Sequence, residues 1–413
     1  MPAQGPIITI LPDSSTTDGL DLTGLRNLGK ISTNWSGALA AIAKSPPAGV
    51  VAVAEPGAAE PLAAVAARLA ALEPYVPMIG IGIDLPGPPN VIPFAPGHDD
   101  VARVHQRLNA AMRVHHLHGT VLRRLPNEPT IRSKMPTSDP LQDANILLIG
   151  RGRSYPALSV ALGVRVGVVG ALSIESAAKH LNARDFDGII IGDGFSERVV
   201  TAFLTVLSED TRFRNLPVLV APTAAGTASA HALPNLEFAP GTPEEVAERA
   251  LPLVRQHAFE ARLIRVLKTI EADGLLDPRT GLLTNEAFER DFAVAVADSQ
   301  KRNAALSVVC FMLDSARPRE RIDAARIVSR LMRRTDFASY YDDGSIIISF
   351  VGADAKNVQL IAKRLSNVLK YSVYSARRTE QVDVNVSVAT LDAADTPASL
   401  LARLNAVRHK AAS

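Results

Sequence analysis

Arg333-Arg334-Thr335-Asp336 and, after five further residues, Asp342-Asp343-Gly344-Ser345-Ile346 bracket the first strand of a predicted β-hairpin. The hairpin reads from Phe337 to Phe350. Apolar and aromatic residues run to Tyr341, an Asp-Gly pair suits a tight turn, and Ile346-Ile347-Ile348 form the return strand. The tip carries two adjacent carboxylates, and an Arg and an Asp lie three residues apart at the hairpin's base.

The chain around this hairpin has 413 residues, too many for one ordinary domain at roughly 100–200 residues each. Apolar residues make up 47% and charged residues 21%, a composition of packed cores rather than disorder. A formal net charge of +2 gives no global footprint for a nucleic-acid polymer or an anionic membrane. No apolar run reaches the ~20 residues of a membrane span, and Met1-Pro-Ala-Gln-Gly-Pro lacks the order of a signal peptide, so a cytoplasmic protein is expected. The one cysteine, Cys310, falls in the apolar run Leu306–Leu313 and is expected as a buried thiol, which excludes disulfide scaffolds and Cys-based metal sites.

Upstream, two segments repeat one order of elements. The first reads as strands at Ile7–Leu11, Gly49–Ala54, Pro77–Ile83 and Asn90–Phe94, helices at Trp35–Lys44 and Pro61–Leu72, and a long helix from about Asp99 to Leu125. The second has strands at Asn145–Ile149, Val166–Val169, Gly188–Gly192, Pro217–Ala221 and Asn235–Phe238. Its helices are Tyr155–Leu162, Ile174–Asn182, Glu197–Leu207 and one from about Pro243 that runs on to Ile270. Short apolar strands alternating with amphipathic helices predict doubly wound parallel sheets. Phe94-Ala95-Pro96-Gly97 recurs as Phe238-Ala239-Pro240-Gly241, which marks two copies of one fold. The expected organisation is 1–125, an exposed Pro/Ser/Thr-rich linker at 126–143, 144–270, and a third domain at 271–413.

Both copies resemble response-regulator receiver domains, with a shortened stretch before the last strand (Leu85–Pro89 and Thr223–Pro234) that implies a missing or irregular fourth helix. Receivers accept phosphate on an Asp after the third strand, with Mg²⁺ held by acids after the first strand and a Lys after the fifth. The acceptor position falls on Val53 in the first copy, with Glu55 beyond it and Asp13 left of the acidic pair. In the second copy it falls on Gly192, beside Asp193, with Gly150-Arg151 for the acids and Ala239 for the Lys. Neither copy is expected to take phosphate, and dimerisation or docking is the expected use. His105, His115, His116 and His118 share the first copy's long helix. His115 and His118 fall on one face, as a metal pair or as a solvated or interdomain face.

The third domain opens with Asp277-Pro278-Arg279-Thr280-Gly281-Leu282 and Phe288, which resembles the opening signature of GGDEF domains, the family of diguanylate cyclases. With the hairpin, the resemblance covers about 273–413 and implies an α+β nucleotide-cyclase-like fold. The strand Leu306–Leu313 ends in Asp314, the position of a family metal ligand. In the Gly-Gly-Asp/Glu-Glu-Phe turn, however, the two glycines are Asp342 and Asp343, the two acids are Gly344 and Ser345, and the Phe is Ile346. Carboxylates facing a triphosphate and lost metal ligation both oppose GTP binding. The segment before Arg333 also reads as too short for the helix that supplies Asn and Asp to guanine. No catalytic residue, metal or required cofactor is therefore expected.

The resemblance implies a second, inhibitory site that binds cyclic di-GMP through an Arg-x-x-Asp and a later Arg in an Ala-x-Arg context. Arg333, Asp336 and Arg364, the last within Ala362-Lys363-Arg364, fit it. A guanidinium forks onto guanine O6 and N7 or onto phosphate, and a carboxylate accepts from N1–H and N2–H₂. The same arginines also suit an ordinary solvated helix face. Three functions follow: a catalytically silent cyclic di-GMP effector, homodimeric and docking an unidentified protein partner; an active cyclase with an unorthodox centre; or a scaffold that binds neither nucleotide.

Overall fold

The computed structural model describes residues 5–13, 21–83, 87–95, 100–125, 137–221, 233–239, 241–302, 304–314, 316–333, 335–372 and 383–411. The chain divides into two compact units, one of 1–126, 139–177 and 186–263, the other of 127–138, 178–185 and 264–413.

The first unit holds two sheets. β1 (Ile7–Ile10), α1 (Leu22–Leu28), β2 (Ile31–Thr33), α2 (Trp35–Lys44), β3 (Gly49–Val53), α3 (Ala59–Ala70), β4 (Met78–Ile81), β5 (Val91–Phe94) and α4 (Asp100–Arg124) build one, all parallel, in the order β2-β1-β3-β4-β5. β6 (Asn145–Ile149), α5 (Tyr155–Gly163), β7 (Gly167–Ala171), α6 (Ile174–Ala183), β8 (Gly188–Ile191), α7 (Glu197–Glu209), β9 (Val218–Val220), β10 (Leu236–Phe238) and α8 (Pro243–Glu271) repeat it. Their sheet runs β10-β9-β8-β6-β7, again parallel. Counted within each copy, both orders are 2-1-3-4-5, a doubly wound arrangement. Every residue of β3, β4, β5, β6 and β8 is buried, which is why these strands read as unbroken apolar runs rather than alternating ones.

α1 and β2 have no counterpart among the elements expected from the sequence. Asp21 caps α1 by accepting from the Gly24 N–H at 2.9 Å, and β2 is a three-residue edge strand with one apolar residue, Ile31. Among the described residues no helix stands between β4 and β5; the corresponding stretch of the second copy, 222–232, lies outside them. The linker is not exposed throughout. Asp139 caps a 3₁₀ turn at Pro140–Gln142, and Leu141 is buried. α8 is continuous, with Pro252 inside it.

The two copies in this unit grip each other reciprocally. From α4, Arg107 donates to the carbonyls of Pro234 (3.1 Å) and Leu236 (2.9 Å) and pairs with the Glu237 carboxylate. From α8, Arg255 donates to the Pro89 carbonyl (2.8 Å) and forks onto Asp139. Each long helix thus reads the chain entering, or just within, the other copy's last strand.

The second unit contains α9 (Asn285–Arg302), β11 (Leu306–Leu313), α10 (Pro318–Leu331), β12 (Phe337–Tyr340), β13 (Ile346–Val351), α11 (Ala355–Ser372), β14 (Val384–Thr390) and α12 (Pro397–Ala411). Its sheet is antiparallel, in the order β12-β13-β11-β14. β11 alternates its side chains strictly: Val309, Phe311 and Leu313 enter the core that includes α10 and α11, while Leu306, Val308 and Cys310 enter the core with α9 and α12. Cys310 is buried and not in a disulfide, as its apolar setting predicts.

α10 corrects the reading of the segment before Arg333, which is long enough for a 14-residue helix. Pro318 opens it, and the Glu320 carboxylate accepts from the Arg317 N–H at 2.8 Å. It carries no Asn, and its one Asp, Asp323, is buried.

Candidate functional site

The hairpin pairs Phe337 with Ser349 and Tyr340 with Ile346, so 342–345 form its tip. Tyr341 N–H donates to the Ser345 carbonyl at 2.9 Å and Gly344 N–H to the Tyr341 carbonyl at 2.8 Å. The Asp343 carboxylate is turned inward onto Ser345, accepting from its N–H (2.9 Å) and hydroxyl (2.6 Å). Gly344 has φ +86° and is buried, and a Cβ there would lie 2.5 Å from Nη1 of Arg321. That Nη1 donates to the Asp343 carbonyl at 3.3 Å. A cation from α10 therefore packs over the tip, a contact between separated elements that no spacing in the sequence announces.

Asp314 is exposed at the end of β11 and accepts from the Asn385 side-chain amide. Nearby, Arg279 pairs with Asp277 at 3.0 Å and lies 6.0 Å from the Tyr340 ring centre. Hydrogen bonding to Asp277 is the main reason the guanidinium's pKa is raised. Burial pushes the Tyr341 hydroxyl up to about 12, with Glu289 and Asp343 adding to it. Asp314 accepts from Asn385, Asp343 accepts from Ser345, Asp342 is exposed, and 344 and 345 carry no carboxylate; among the described residues no group of three or more carboxylate, imidazole or thiol side chains is placed to hold a metal ion.

At the other end of the hairpin, Arg333, Asp336 and Arg364 line a single pocket of about 390 Å³. The Asp336 N–H closes a turn onto the Arg333 carbonyl (3.2 Å) just before β12. After β13, Gly352 adopts φ +78° and reverses the chain; Asp354 then caps α11 by accepting from the Asn357 N–H at 2.8 Å. Asn357, Ile361 and Arg364 follow at helical i, i+4, i+7 spacing on the pocket side of α11. Phe350, Val351, Ala353 and Leu360 also line it, and Val351 and Leu360 are 42% and 55% exposed. Burial raises the pKa of Asp336, opposed by its hydrogen bond with the Val351 backbone and by the Arg333 charge. Arg333 and Arg364 are exposed cations at the same pocket. Sequence reading did not single out Asn357, Val351 and Leu360; only their position in the helix and at the strand end brings them to this wall.

In the first unit, the side chains at the positions singled out by the resemblance meet local partners. Ser154 donates its hydroxyl to Asp193 at 2.5 Å, Arg151 donates to the Gly194 carbonyl at 2.9 Å, and Gly150 and Gly192 lie at the ends of their strands. In the first copy the Asp13 N–H meets Glu55 at 3.3 Å and Asn34 donates to Asp13 at 2.8 Å; Val53 ends β3. Ala239 is buried. His105 faces Asn109, whereas His115 and His118 both turn to the main chain of Tyr75.

No family model and no curated protein matches the chain. Solved structures similar to part of it include the coiled coil and GGDEF domain of DgcB from Caulobacter crescentus in complex with c-di-GMP: 19% identity over 35% of this chain and 84% of that one, TM-score 0.28. A sensory box/GGDEF family protein from Caulobacter crescentus CB15 is 20% identical over 34% of this chain and 99% of that one, TM-score 0.29. The GGDEF domain of FimX from Pseudomonas aeruginosa is 18% identical over 33% of this chain and 93% of that one, TM-score 0.29.

Proposed function

We propose that this chain is a cyclic di-GMP-binding signalling protein: two degenerate receiver-like domains followed by a GGDEF domain whose reaction centre no longer works. The observation that carries the reading is the convergence of Arg333, Asp336 and Arg364, from a turn and a helix 28 or more positions apart in sequence, on one pocket. Its chemistry suits a guanine nucleotide. The carboxylate accepts from the N1–H and N2–H₂ edge, and the guanidinium groups fork onto O6 and N7 or neutralise phosphate. The hairpin tip supports the second half of the reading. Its Asp343 carboxylate accepts from Ser345, Asp342 adds a second negative charge beside it, and its glycine lies under Arg321, which argues against both metal ligation and a bound triphosphate. The receiver-like pair then supplies partner docking or homodimerisation without phosphorylation.

Isothermal titration of the full chain with cyclic di-GMP tests this directly. Micromolar or tighter binding that Arg333→Ala and Arg364→Ala each weaken at least about tenfold is expected, since hydrogen bonds to charged groups contribute about 1.5–3 kcal/mol. Absent binding, or binding indifferent to both substitutions, overturns it. Incubation with GTP and Mg²⁺ is expected to yield no cyclic di-GMP.

A further inference from the structure

His118 points to a function for the histidine-bearing helix that the nucleotide site does not absorb. We infer that His118 is a proton-sensitive latch, which holds the turn at 73–76 against α4 and α8 while its imidazole is neutral and releases it when the ring is protonated.

Which atoms can donate decides the protonation of the two rings. His115 and His118 stand three positions apart on α4 and share a face. Tyr75 N–H lies 2.9 Å from Nδ1 of His118, and the Tyr75 carbonyl lies 2.8 Å from Nδ1 of His115. A backbone N–H only donates, so Nδ1 of His118 must be bare; a carbonyl only accepts, so Nδ1 of His115 must carry the proton. The two rings therefore respond differently to acid. A second proton on His115 goes to Nε2 and leaves its bond intact, whereas a second proton on His118 goes to Nδ1 and abolishes the acceptor.

The latch also bears on α8. Phe259 meets the His118 ring edge-on at 5.2 Å and the Tyr75 ring at 5.6 Å, so one turn, α4 and α8 share a single cluster. The charged groups around it are mixed. Glu73 favours the imidazolium of His118 and His115 opposes it; His116 acts on His115; Arg255 of α8 acts on Tyr75; and Glu260 of α8 pairs with Arg113 of α4. Burial dominates and lowers the pKa of His118. For a base whose folded pKa is depressed, the stabilisation is complete above the unfolded value near ~6.5 and is lost as pH falls from there toward the folded value.

Hydrogen exchange of the Tyr75 amide in the full chain, corrected for the intrinsic pH dependence of exchange, reads the latch. Protection is expected to fall about fivefold between about pH 7.5 and a pH below the midpoint of the His118 ring titration, the effect of losing one ordinary hydrogen bond. His118→Asn, whose side-chain oxygen accepts without titrating, is expected to keep the same protection at both pH values. Unchanged protection in the wild type, or an equal loss in His118→Asn, overturns the inference. Should that variant fail to fold, the wild type alone decides. The midpoint of lost protection must coincide with the titration of the His118 ring followed by NMR, and a displaced midpoint rules the latch out.

Discussion

The Arg107 guanidinium meets the Glu237 carboxylate in the interior of the first unit, and each side chain is 1% exposed. Removing one partner strands the other charge in a low-dielectric setting, which typically costs about 3–5 kcal/mol. Replacing both by apolar groups of similar volume is often close to neutral. Urea unfolding should therefore show a large drop in midpoint for Arg107→Met and substantial recovery in Arg107→Met/Glu237→Leu. A mild single variant would mean that Glu237 is not left as a costly unpaired charge when Arg107 is removed.

The elements that sequence reading found are those whose signal is local. Trp35–Lys44 and Asn145–Ile149 are legible to the residue because an apolar face or an unbroken apolar run has clear ends. The 337–350 hairpin is legible because Asp343-Gly344 punctuates two largely apolar runs. α1 and β2 were illegible because a seven-residue helix with one buried side chain and a three-residue edge strand carry almost no periodicity. At the sites the same division holds. Arg333, Asp336 and Arg364 belong to a motif, whereas Arg321 over Gly344 and the hold of His118 on Tyr75 arise from chain segments brought together only by folding. α10 was misjudged because its charged sequence hides a buried stripe that includes Ala324, Ala325, Ile327 and Val328.

Asp336 gives the pocket a pH dependence. Burial holds its folded pKa above the ordinary carboxylate value, so its protonation favours the folded chain; that stabilisation is present below the unfolded value near ~3.9 and is lost as pH rises through the folded one. Ligand binding runs in the opposite sense, since only the carboxylate accepts from guanine N1–H and N2–H₂. Titrations from neutral pH downward should show affinity falling earlier than an exposed Asp would dictate. Asp336→Asn should bind at least about tenfold more weakly at neutral pH with a flatter profile.

On the proposed reading, the conformation at Gly344 goes with the absence of cyclase activity. The Gly344 φ of +86° strains any side chain placed there, and a Cβ would first have to displace the Arg321 side chain. The fivefold variant Asp342→Gly, Asp343→Gly, Gly344→Asp, Ser345→Glu, Ile346→Phe is expected to make no cyclic di-GMP from GTP and Mg²⁺. Gly344→Ala alone should destabilise the chain by about 1–3 kcal/mol in urea unfolding. Turnover by the reconstructed turn would show that the remainder of the nucleotide site has survived.

Val351 and Leu360 separate a ligand role from a folding role. Both line the pocket yet remain about half exposed, so neither contributes much to the core, while a bound purine ring would cover them. Burying roughly half an aliphatic side chain against a ligand is worth about 1 kcal/mol, or about fivefold in affinity. Leu360→Ser should accordingly weaken cyclic di-GMP binding about fivefold and leave the melting temperature unchanged. Asn357→Ala, which removes an amide from the same helix face one turn nearer the reversal at Gly352, should do the same by forfeiting one neutral hydrogen bond. Loss of melting temperature without loss of affinity in either variant would place those side chains in the packing of α11 and leave base recognition to Arg333, Asp336 and Arg364.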